Sequence, residues 1–436
     1  MKINYIISSI LGYNLKKAEK ILNKTQSLNK KEFLNWQNDE IIKILHYHIH
    51  HNKYYKKICK NNIKEFKDAP ILTKKDFQIG LQDTMSISLK NKSVYKANTS
   101  GASGQPFWFV KDKNCHSLAW SYILDRYATL GNSKNLLEAR FFGSIRNNPL
   151  INFKERCKDI LLERVRFDVF DQSFDYFEKI TIDFAKQNFT YIYGYTNSIY
   201  AYALHLEKHS TSTLKEVCKS LTYVLVTAEM CNERMRKKMI KIFGVPVYRE
   251  YGSSETSIIA IENKLYEWEI ASQRVYVEIV DQNGNLLPDG CTGKILVTDF
   301  YNYAMPIIRY DIGDEGSIVS KNKFPFFHLN SLQGRESDTI FLPSGKSIPG
   351  LVFYYILRDI IEREDIIKRF IIKQRKIDTF VFEYIAKTKL DNDRKQKFIN
   401  TAEKYLEPNL IYEFLKVDII PLKPSGKIQH FFSDIN

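Results

Sequence analysis

The sequence predicts an α/β protein. A large N-terminal domain combines layered α/β subdomains with a β-barrel-like subdomain, and a small mobile α+β domain follows it. Three observations carry this expectation. Strand-like and helix-like segments alternate from about residue 95 to 260. Strands dominate from about 270 to 333, and after Gly334-Arg335 a fresh mixture of both begins. Alternation of β and α runs is the mark of a sheet layered with helices. The boundary is drawn as domains 1–334 and 335–436, with a hinge near Ser337.

Residues 1 to about 95 read as mostly helical. The opening Met1-Lys2-Ile3-Asn4-Tyr5-Ile6-Ile7-Ser8-Ser9 has a short apolar run broken by Asn4 and Ser8-Ser9. It is read as a helix packing on the domain rather than as a signal peptide. The run from Glu40 continues into His46-Tyr47-His48-Ile49-His50-His51. His46 and His50 share one helical face, a spacing that metal ligands use, but no carboxylate or cysteine accompanies them. A surface helix is the favoured reading. Thr73 is placed to cap a helix entering at Lys74-Lys75-Asp76.

Strand candidates in the alternating region are 139–142, 165–170, 191–193 and 221–226, with helices over 200–208 and 231–242. In the strand-rich region, 275–280 and 293–298 flank Asp281-Gln282-Asn283-Gly284-Asn285, whose Asn-Gly signals a hairpin turn. Beyond 334, 351–364 and 394–405 read as helices, and 370–372, 379–384 and 412–417 as strands.

At 436 residues the chain has room for two or three domains and a sizeable core. Net charge is +15, but the lysines are dispersed and no nucleic-acid motif is present, so no nucleic-acid partner is expected. The six cysteines are scattered without a Cys-x-x-Cys pair, which implies free thiols in a reducing compartment and argues against a zinc framework. No window reaches the roughly 20 apolar residues that span a bilayer. A cytoplasmic protein without a transmembrane segment is expected.

The chemistry concentrates in five segments. Thr99-Ser100-Gly101-Ala102-Ser103-Gly104-Gln105-Pro106 precedes the apolar run Phe107-Trp108-Phe109-Val110. Its glycines let a backbone approach an anion closely, and its hydroxyls add donors, which suits a polyphosphate. Ser/Gly loops are also ordinary turns, and no lysine follows the second glycine as in a Walker P-loop. Downstream lie Tyr251-Gly252-Ser253-Ser254-Glu255, then Asp311-Ile312-Gly313-Asp314, then Gly334-Arg335-Glu336-Ser337-Asp338, then Pro424-Ser425-Gly426-Lys427.

In this order the five segments resemble the adenylate-forming enzymes: acyl-CoA synthetases, peptide-synthetase adenylation domains and luciferases. Thr-Ser-Gly-x-x-Gly-Gln-Pro, Met305-Pro306-Ile307-Ile308-Arg309-Tyr310, Pro70-Ile71-Leu72-Thr73-Lys74 and Ile192-Tyr193-Gly194-Tyr195 are similar to the phenylacetate–coenzyme A ligase branch and its CapK-type capsule-biosynthesis relatives. The resemblance runs from about residue 40 to the C-terminus. It implies an AMP-forming acid–thiol ligase that uses ATP, Mg²⁺ and coenzyme A. A small carboxylic acid would become an acyl-adenylate and then a thioester. A carrier protein or an amine is the alternative acceptor, and a non-catalytic nucleotide-binding scaffold the alternative outside enzymes. Cell-surface polysaccharide modification is the implied setting, and the positive charge would help attract both cosubstrates.

The resemblance also implies roles. Thr99, Ser100, Gly101, Ser103 and Gly104 would hold the β- and γ-phosphates. Tyr251 would lie against adenine, and Ser254 would donate to the α-phosphate. Glu255 would ligate Mg²⁺. Asp314 would accept from the ribose hydroxyls, with Asp311 structural, and Arg335 would bond ribose or phosphate. Lys427, carried by the C-terminal domain, would reach the α-phosphate and the carboxylate during adenylation. Phe142-Gly143-Ser144, Tyr193-Gly194-Tyr195, Thr227-Ala228-Glu229 and Gly252-Ser253 would line the acyl pocket. Ala102 stands where the family usually has a hydroxyl, and Ser337 where it usually has an acid.

Overall fold

A computed structural model of the chain describes residues 12–59, 63–86, 94–98, 108–131, 137–142, 156–160, 162–229, 231–333, 339–350, 352–353, 356–357, 367–420 and 431–435. The chain divides into two compact units, each discontinuous in sequence. The first takes Met1–Thr99, Phe107–Lys134 and Tyr248–Gly334; the second takes Ser100–Pro106, Asn135–Val247 and Arg335–Asn436.

The first unit opens with helices, as the sequence leads one to expect. In α1 (Leu15–Gln26) the Asn14 side chain caps the first turn by accepting from Lys17 N at 2.9 Å. α2 (Lys30–His51) begins with a reciprocal box: Glu32 N donates to Asn29 at 3.0 Å, and Asn29 N donates to Glu32 at 2.9 Å. Such pairs satisfy amide donors that a helix start leaves open. Phe33, Gln37, Ile41, Ile44, Leu45 and His48 form its buried stripe. A short α3 (Lys53–Cys59) follows, and Thr73 starts a 3-10 turn over Lys74–Phe77 rather than a full helix. β1 (Tyr95–Asn98) pairs antiparallel with β2 (Trp108–Lys111), and α4 (Lys113–Gly131) ends this section.

The chain then builds the second unit. β3 (Glu138–Phe141), β4 (Arg164–Phe167), α5 (Phe174–Lys186), β5 (Tyr191–Tyr195), α6 (Thr196–His209), β6 (Tyr223–Thr227) and α7 (Glu233–Phe243) make a parallel sheet in the order β6-β5-β3-β4. β6, Tyr-Val-Leu-Val-Thr, is buried at every position. A continuous apolar run is what a parallel strand covered on both faces requires. Gly194 lets β5 approach β3: a Cβ there would lie 1.9 Å from the Phe141 carbonyl oxygen.

The first unit resumes with β7 (Val247–Ser253), β8 (Ser257–Glu262), β9 (Trp268–Ile270), β10 (Val275–Val280), β11 (Gly293–Asp299), β12 (Tyr310–Ser320) and β13 (Phe327–Gln333). These strands form an antiparallel run in the order β10-β11-β12-β13-β9-β8-β7. Of these, β10 to β13 fall in the stretch from about 270 to 333 expected to form the barrel-like subdomain. β10 and β11 pair as expected. At Asn283-Gly284 the chain makes the expected tight turn: Asp281 N donates to Asn285 O at 2.9 Å, Val280 pairs antiparallel with Leu286, and Asp281 Oδ1 accepts from Asn283 N at 2.8 Å and Asn285 N at 2.9 Å. The Asp281 side chain reinforces the turn that Asn-Gly favours.

The second unit closes with the hairpin β14 (Thr339–Phe341) and β15 (Ser347–Pro349). A sheet follows, made of β16 (Ile367–Lys376), β17 (Thr379–Ala386), β18 (Ile411–Lys416) and β19 (Phe431–Ser433), with α8 (Asn392–Tyr405) between β17 and β18. Within the unit this section packs on residues 135–247, where the rings of Phe170 and Tyr405 meet at 5.3 Å.

Candidate active site

The hairpin β7–β8 carries the centre of the site. A Cβ at Gly252 would lie 2.3 Å from the Ser257 carbonyl oxygen, so only glycine permits the register shift between Tyr251 and Gly252. Ser253 Oγ lies 2.9 Å from Thr256 Oγ1 and accepts from Thr256 N at 3.1 Å, closing the turn. Ser254 is exposed at the turn, whereas Glu255 is 6% exposed. The Glu255 carboxylate accepts from Tyr310 Oη at 2.9 Å.

The second strand that matters is β12. Gly313, with φ at +78°, turns the backbone in a region that favours glycine, and its N–H donates to Asp311 Oδ1 at 2.7 Å. This turn presents Asp314, whose Oδ2 accepts from Tyr251 Oη at 3.0 Å. Tyr251 and Asp314, 63 residues apart, are thus directly bonded. The strand is anchored upstream by Arg309, which is 3% exposed and donates to Ala69 O at 3.1 Å and Gly284 O at 3.0 Å. Leu72 brackets the same strand: its N–H donates to Arg309 O at 3.2 Å and its carbonyl accepts from Asp311 N at 2.8 Å. The Pro70-Ile71-Leu72 segment therefore braces the motif from the side.

Two buried cations lie beneath the turn, and sequence reasoning passed over both. Lys111, at the end of β2, is 2% exposed; its Nζ donates to Ser254 O at 2.9 Å and to Ser257 Oγ at 2.5 Å. Burial pushes its ammonium down to about 8. Arg274, fully buried, donates to Thr256 O and to Ile258 O, the latter at 3.1 Å, and pairs with Asp299 at 2.8 Å. A lysine closing the apolar run Trp108-Phe109-Val110 is the sequence signal that could have revealed the first of them.

Of the expected site residues, the structure brings together Tyr251, Ser254, Glu255 and Asp314. Thr99, Ser100, Gly101, Ser103, Gly104, Arg335 and Lys427 lie outside the described residues, as does Ser337. Of the four histidines between 46 and 51, His48 is the buried one; its Nε2 lies 2.9 Å from the Asn302 carbonyl and its Nδ1 3.2 Å from Ser86 Oγ. The rings of His46 and His50 are stacked 6.2 Å apart, and His50 Nδ1 lies 2.7 Å from the His46 carbonyl. Among the described residues no cluster of three or more His, Cys, Asp or Glu side chains could hold a metal. No helix among them is long and apolar enough to cross a membrane.

The second unit presents its own cluster at the carboxyl ends of β3, β5 and β6, the edge of a parallel sheet where ligands usually bind. The rings of Phe142 and Tyr195 meet at 4.3 Å, and Arg140 lies 5.0 Å from the Phe142 and Tyr193 rings. Glu229 caps α6: its carbonyl accepts from Thr196 Oγ1 at 3.0 Å, and its Oε2 accepts from Asn197 N at 2.8 Å. Its Oε1 is shut off from solvent without a partner among the described residues. Burial raises this carboxyl to about 7 from 4.5.

A raised carboxyl contributes stability that is complete below its unfolded value and is lost as pH rises through the folded value. Glu229→Gln keeps an acceptor for Asn197 N but cannot ionise. The melting temperature of the variant is therefore expected to gain on wild type between pH 5 and pH 8. A difference independent of pH in thermal unfolding would show that Glu229 titrates normally.

Comparison with known proteins agrees with this geometry. The family described as AMP-binding enzyme matches residues 165–301. Protein CapK of Staphylococcus aureus is 23% identical over 425 residues, covering 92% of this chain and 89% of CapK. The phenylacetate-coenzyme A ligase of Aromatoleum evansii is 28% identical over 131 residues, 28% of this chain and 29% of the ligase. The chain thus matches the AMP-binding enzyme family over 165–301 and is similar to CapK along most of its length. The expected enzyme class, an AMP-forming ligase, agrees with that similarity. For the fold, a crystal structure of 2-hydroxyisobutyryl-CoA ligase with 2-HIB-AMP and CoA in the thioesterification state superposes with a TM-score of 0.62, at 12% identity. That match covers 94% of this chain and 92% of the other. An adenylate-forming α/β fold is thus what both sequence and architecture describe.

Proposed function

We propose that this protein activates a small carboxylic acid with ATP and passes the acyl group to a thiol, with coenzyme A as acceptor. The observation that carries this reading is the bonded pair Tyr251–Asp314 beside the turn bearing Ser254 and Glu255. A planar ring tied to a carboxylate suits a nucleoside: the ring lies against the base, and the acid accepts from the vicinal ribose hydroxyls. The turn beside it supplies a hydroxyl and a carboxylate for the phosphate region.

In the first half-reaction the substrate carboxylate oxygen bonds to the α-phosphorus of ATP, and the bond to the bridging oxygen breaks to release pyrophosphate. In the second, a thiol sulfur bonds to the acyl carbon, AMP leaves, and the thiol proton passes to solvent. The obstacle in the first step is a carboxylate approaching a polyanion, so positioning and cationic donors matter most. Thr99, Ser100, Gly101, Ser103 and Gly104 are proposed to hold the β- and γ-phosphates, Ser254 the α-phosphate, Arg335 the ribose or phosphate, and Lys427 the reacting centre.

The residues fit Mg²⁺. One Glu255 oxygen accepts from Tyr310, and the other has no protein partner among the described residues. Mg²⁺ is typically held by one or two carboxylates together with substrate phosphates. When bound, the ion supplies neutralisation of the phosphate charge. The aromatic cluster of Phe142, Tyr193 and Tyr195 favours a small to medium acyl group. A role in cell-surface polysaccharide decoration, in a cytoplasmic setting, is supported by the similarity to CapK along most of the chain.

The test is a panel of carboxylic acids scored by pyrophosphate release, with and without coenzyme A. ATP- and Mg²⁺-dependent release with some small acid is expected. Nucleotide binding without adenylate from any acid would favour a scaffold, and release that ignores coenzyme A but responds to an amine or a carrier protein would reassign the acceptor. Within this reading Asp314→Ala should weaken ATP binding. Loss of a charged hydrogen bond costs about 1.5–3 kcal/mol, roughly ten- to hundred-fold in affinity. Wild-type ATP affinity in a calorimetric titration would remove Asp314 from the ribose.

A further inference from the structure

We propose that Lys111 is a positioning residue for adenylate formation: by holding the Ser254 carbonyl it aims the Glu255 N–H as a donor to the α-phosphate. The inference rests on the reading above, in which the β7–β8 turn receives nucleotide phosphate.

The argument starts from the peptide plane. In a trans peptide the C=O and the following N–H point in opposite directions. Lys111 Nζ fixes Ser254 O at 2.9 Å, so the Glu255 N–H is directed away from the ammonium. That N–H has no acceptor among the described residues, although Glu255 is 6% exposed. Buried amide donors are almost always paired, so an orphan here points to an acceptor brought by a ligand. The next amide is already taken, because Thr256 N donates to Ser253 Oγ at 3.1 Å.

The placement of Lys111 is costly, which is informative. A buried ammonium is disfavoured unless paired and hydrogen-bonded, whereas a methionine would fill the same space without that penalty. Its surroundings use the ammonium fully: Ser254 O, Ser257 Oγ at 2.5 Å, and the face of Phe109 at 5.4 Å. Ser257, with φ at +61°, is held in a conformation unusual for a residue with a side chain, and Lys111 holds its hydroxyl there. Arg274 grips the Thr256 and Ile258 carbonyls of the same hairpin. Alternate carbonyls of the turn are therefore drawn onto cations. An inward carbonyl and an outward amide are the elements of a backbone anion nest.

The experiment compares wild type, Lys111→Met and Lys111→Arg by calorimetric titration with ATP and with each diastereomer of ATPαS, in which sulfur replaces one α-phosphate oxygen. Wild type should bind the two diastereomers unequally, because one of them puts sulfur where the amide donates. Lys111→Met should bind ATP about tenfold more weakly, as for a lost hydrogen bond to a charged group, and should lose the inequality. Lys111→Arg should restore most of both. A purely structural lysine would lower the melting temperature and leave the diastereomer ratio unchanged; that ratio, unchanged in Lys111→Met, overturns the proposal. Should Lys111→Met fail to fold, the backbone amide of Glu255 in selectively ¹⁵N-labelled wild type decides. Its proton should move downfield on adding AMP, and an unmoved signal overturns the proposal. Wild type that binds no ATP at all instead defeats the nucleotide reading itself.

Discussion

Lys427→Ala is expected to slow adenylate formation about a hundred-fold or more, the scale on which a positioned electrostatic donor acts. The same variant, supplied with presynthesised acyl-adenylate and coenzyme A, should form thioester at nearly the normal rate. The reason lies in when charge is needed. While the carboxylate attacks phosphorus, two anions are forced together and charge moves onto the leaving pyrophosphate. A lysine is a compact point charge on a flexible stem, suited to meeting that demand and then being withdrawn. After pyrophosphate has left, the thiol attacks an acyl carbon and the demand has gone. The proposed mobile domain beyond Arg335 would supply the lysine for the first step only. Rapid-quench measurement of the two half-reactions separates the outcomes. Equal loss in both would indicate a fixed site or a folding defect. No loss in either would make Lys427 a surface residue and count against the resemblance in this part of the chain.

The parts of the fold that were legible in the sequence are those where local pattern and burial agree. β6 is apolar up to its final Thr227 and every residue is buried, so its run could be read directly. α7 announces itself with Asn232 accepting from Met235 N at 2.9 Å and ends at Gly244, whose φ is +71°. The Asn283-Gly284 turn is legible in the same way: Gly284, with φ at +85°, sits in a tight turn where Asp281 N donates to Asn285 O at 2.9 Å and Val280 pairs antiparallel with Leu286. The site divides along the same line. Tyr251, Ser254, Glu255 and Asp314 sit in short motifs and could be named in advance. Lys111 and Arg274 were passed over, because their importance comes from carbonyls more than a dozen residues away; the apolar run that Lys111 closes is the one local hint, and Arg274 has none. Arg309 lay in a recognised motif, yet its work of joining Ala69 and Gly284 to β12 is a tertiary fact.

Glu255→Gln tests the metal assignment with little disturbance of the fold. Glu255 stands among buried charges: Lys111 and Arg274 are the cations near the turn, and Asp299 is the second anion. Glu255→Ala would remove an acceptor from Tyr310, a residue 3% exposed. Such a variant would confound lost stability with lost chemistry, since losing a hydrogen bond to a charged group costs about 1.5–3 kcal/mol. Glutamine retains an oxygen for Tyr310 and loses only the charge. Mg²⁺ prefers charged oxygen ligands, and an amide carbonyl is a poorer one beside a phosphate. Glu255→Gln is therefore expected to unfold close to the wild-type temperature, to turn over about a hundred-fold more slowly if the ion's electrostatic help is weakened, and to need more Mg²⁺ for half-maximal pyrophosphate release. Excess Mg²⁺ should recover part of the rate. A variant with the wild-type Mg²⁺ requirement would take Glu255 out of the metal's coordination and leave it the simpler role of holding Tyr310.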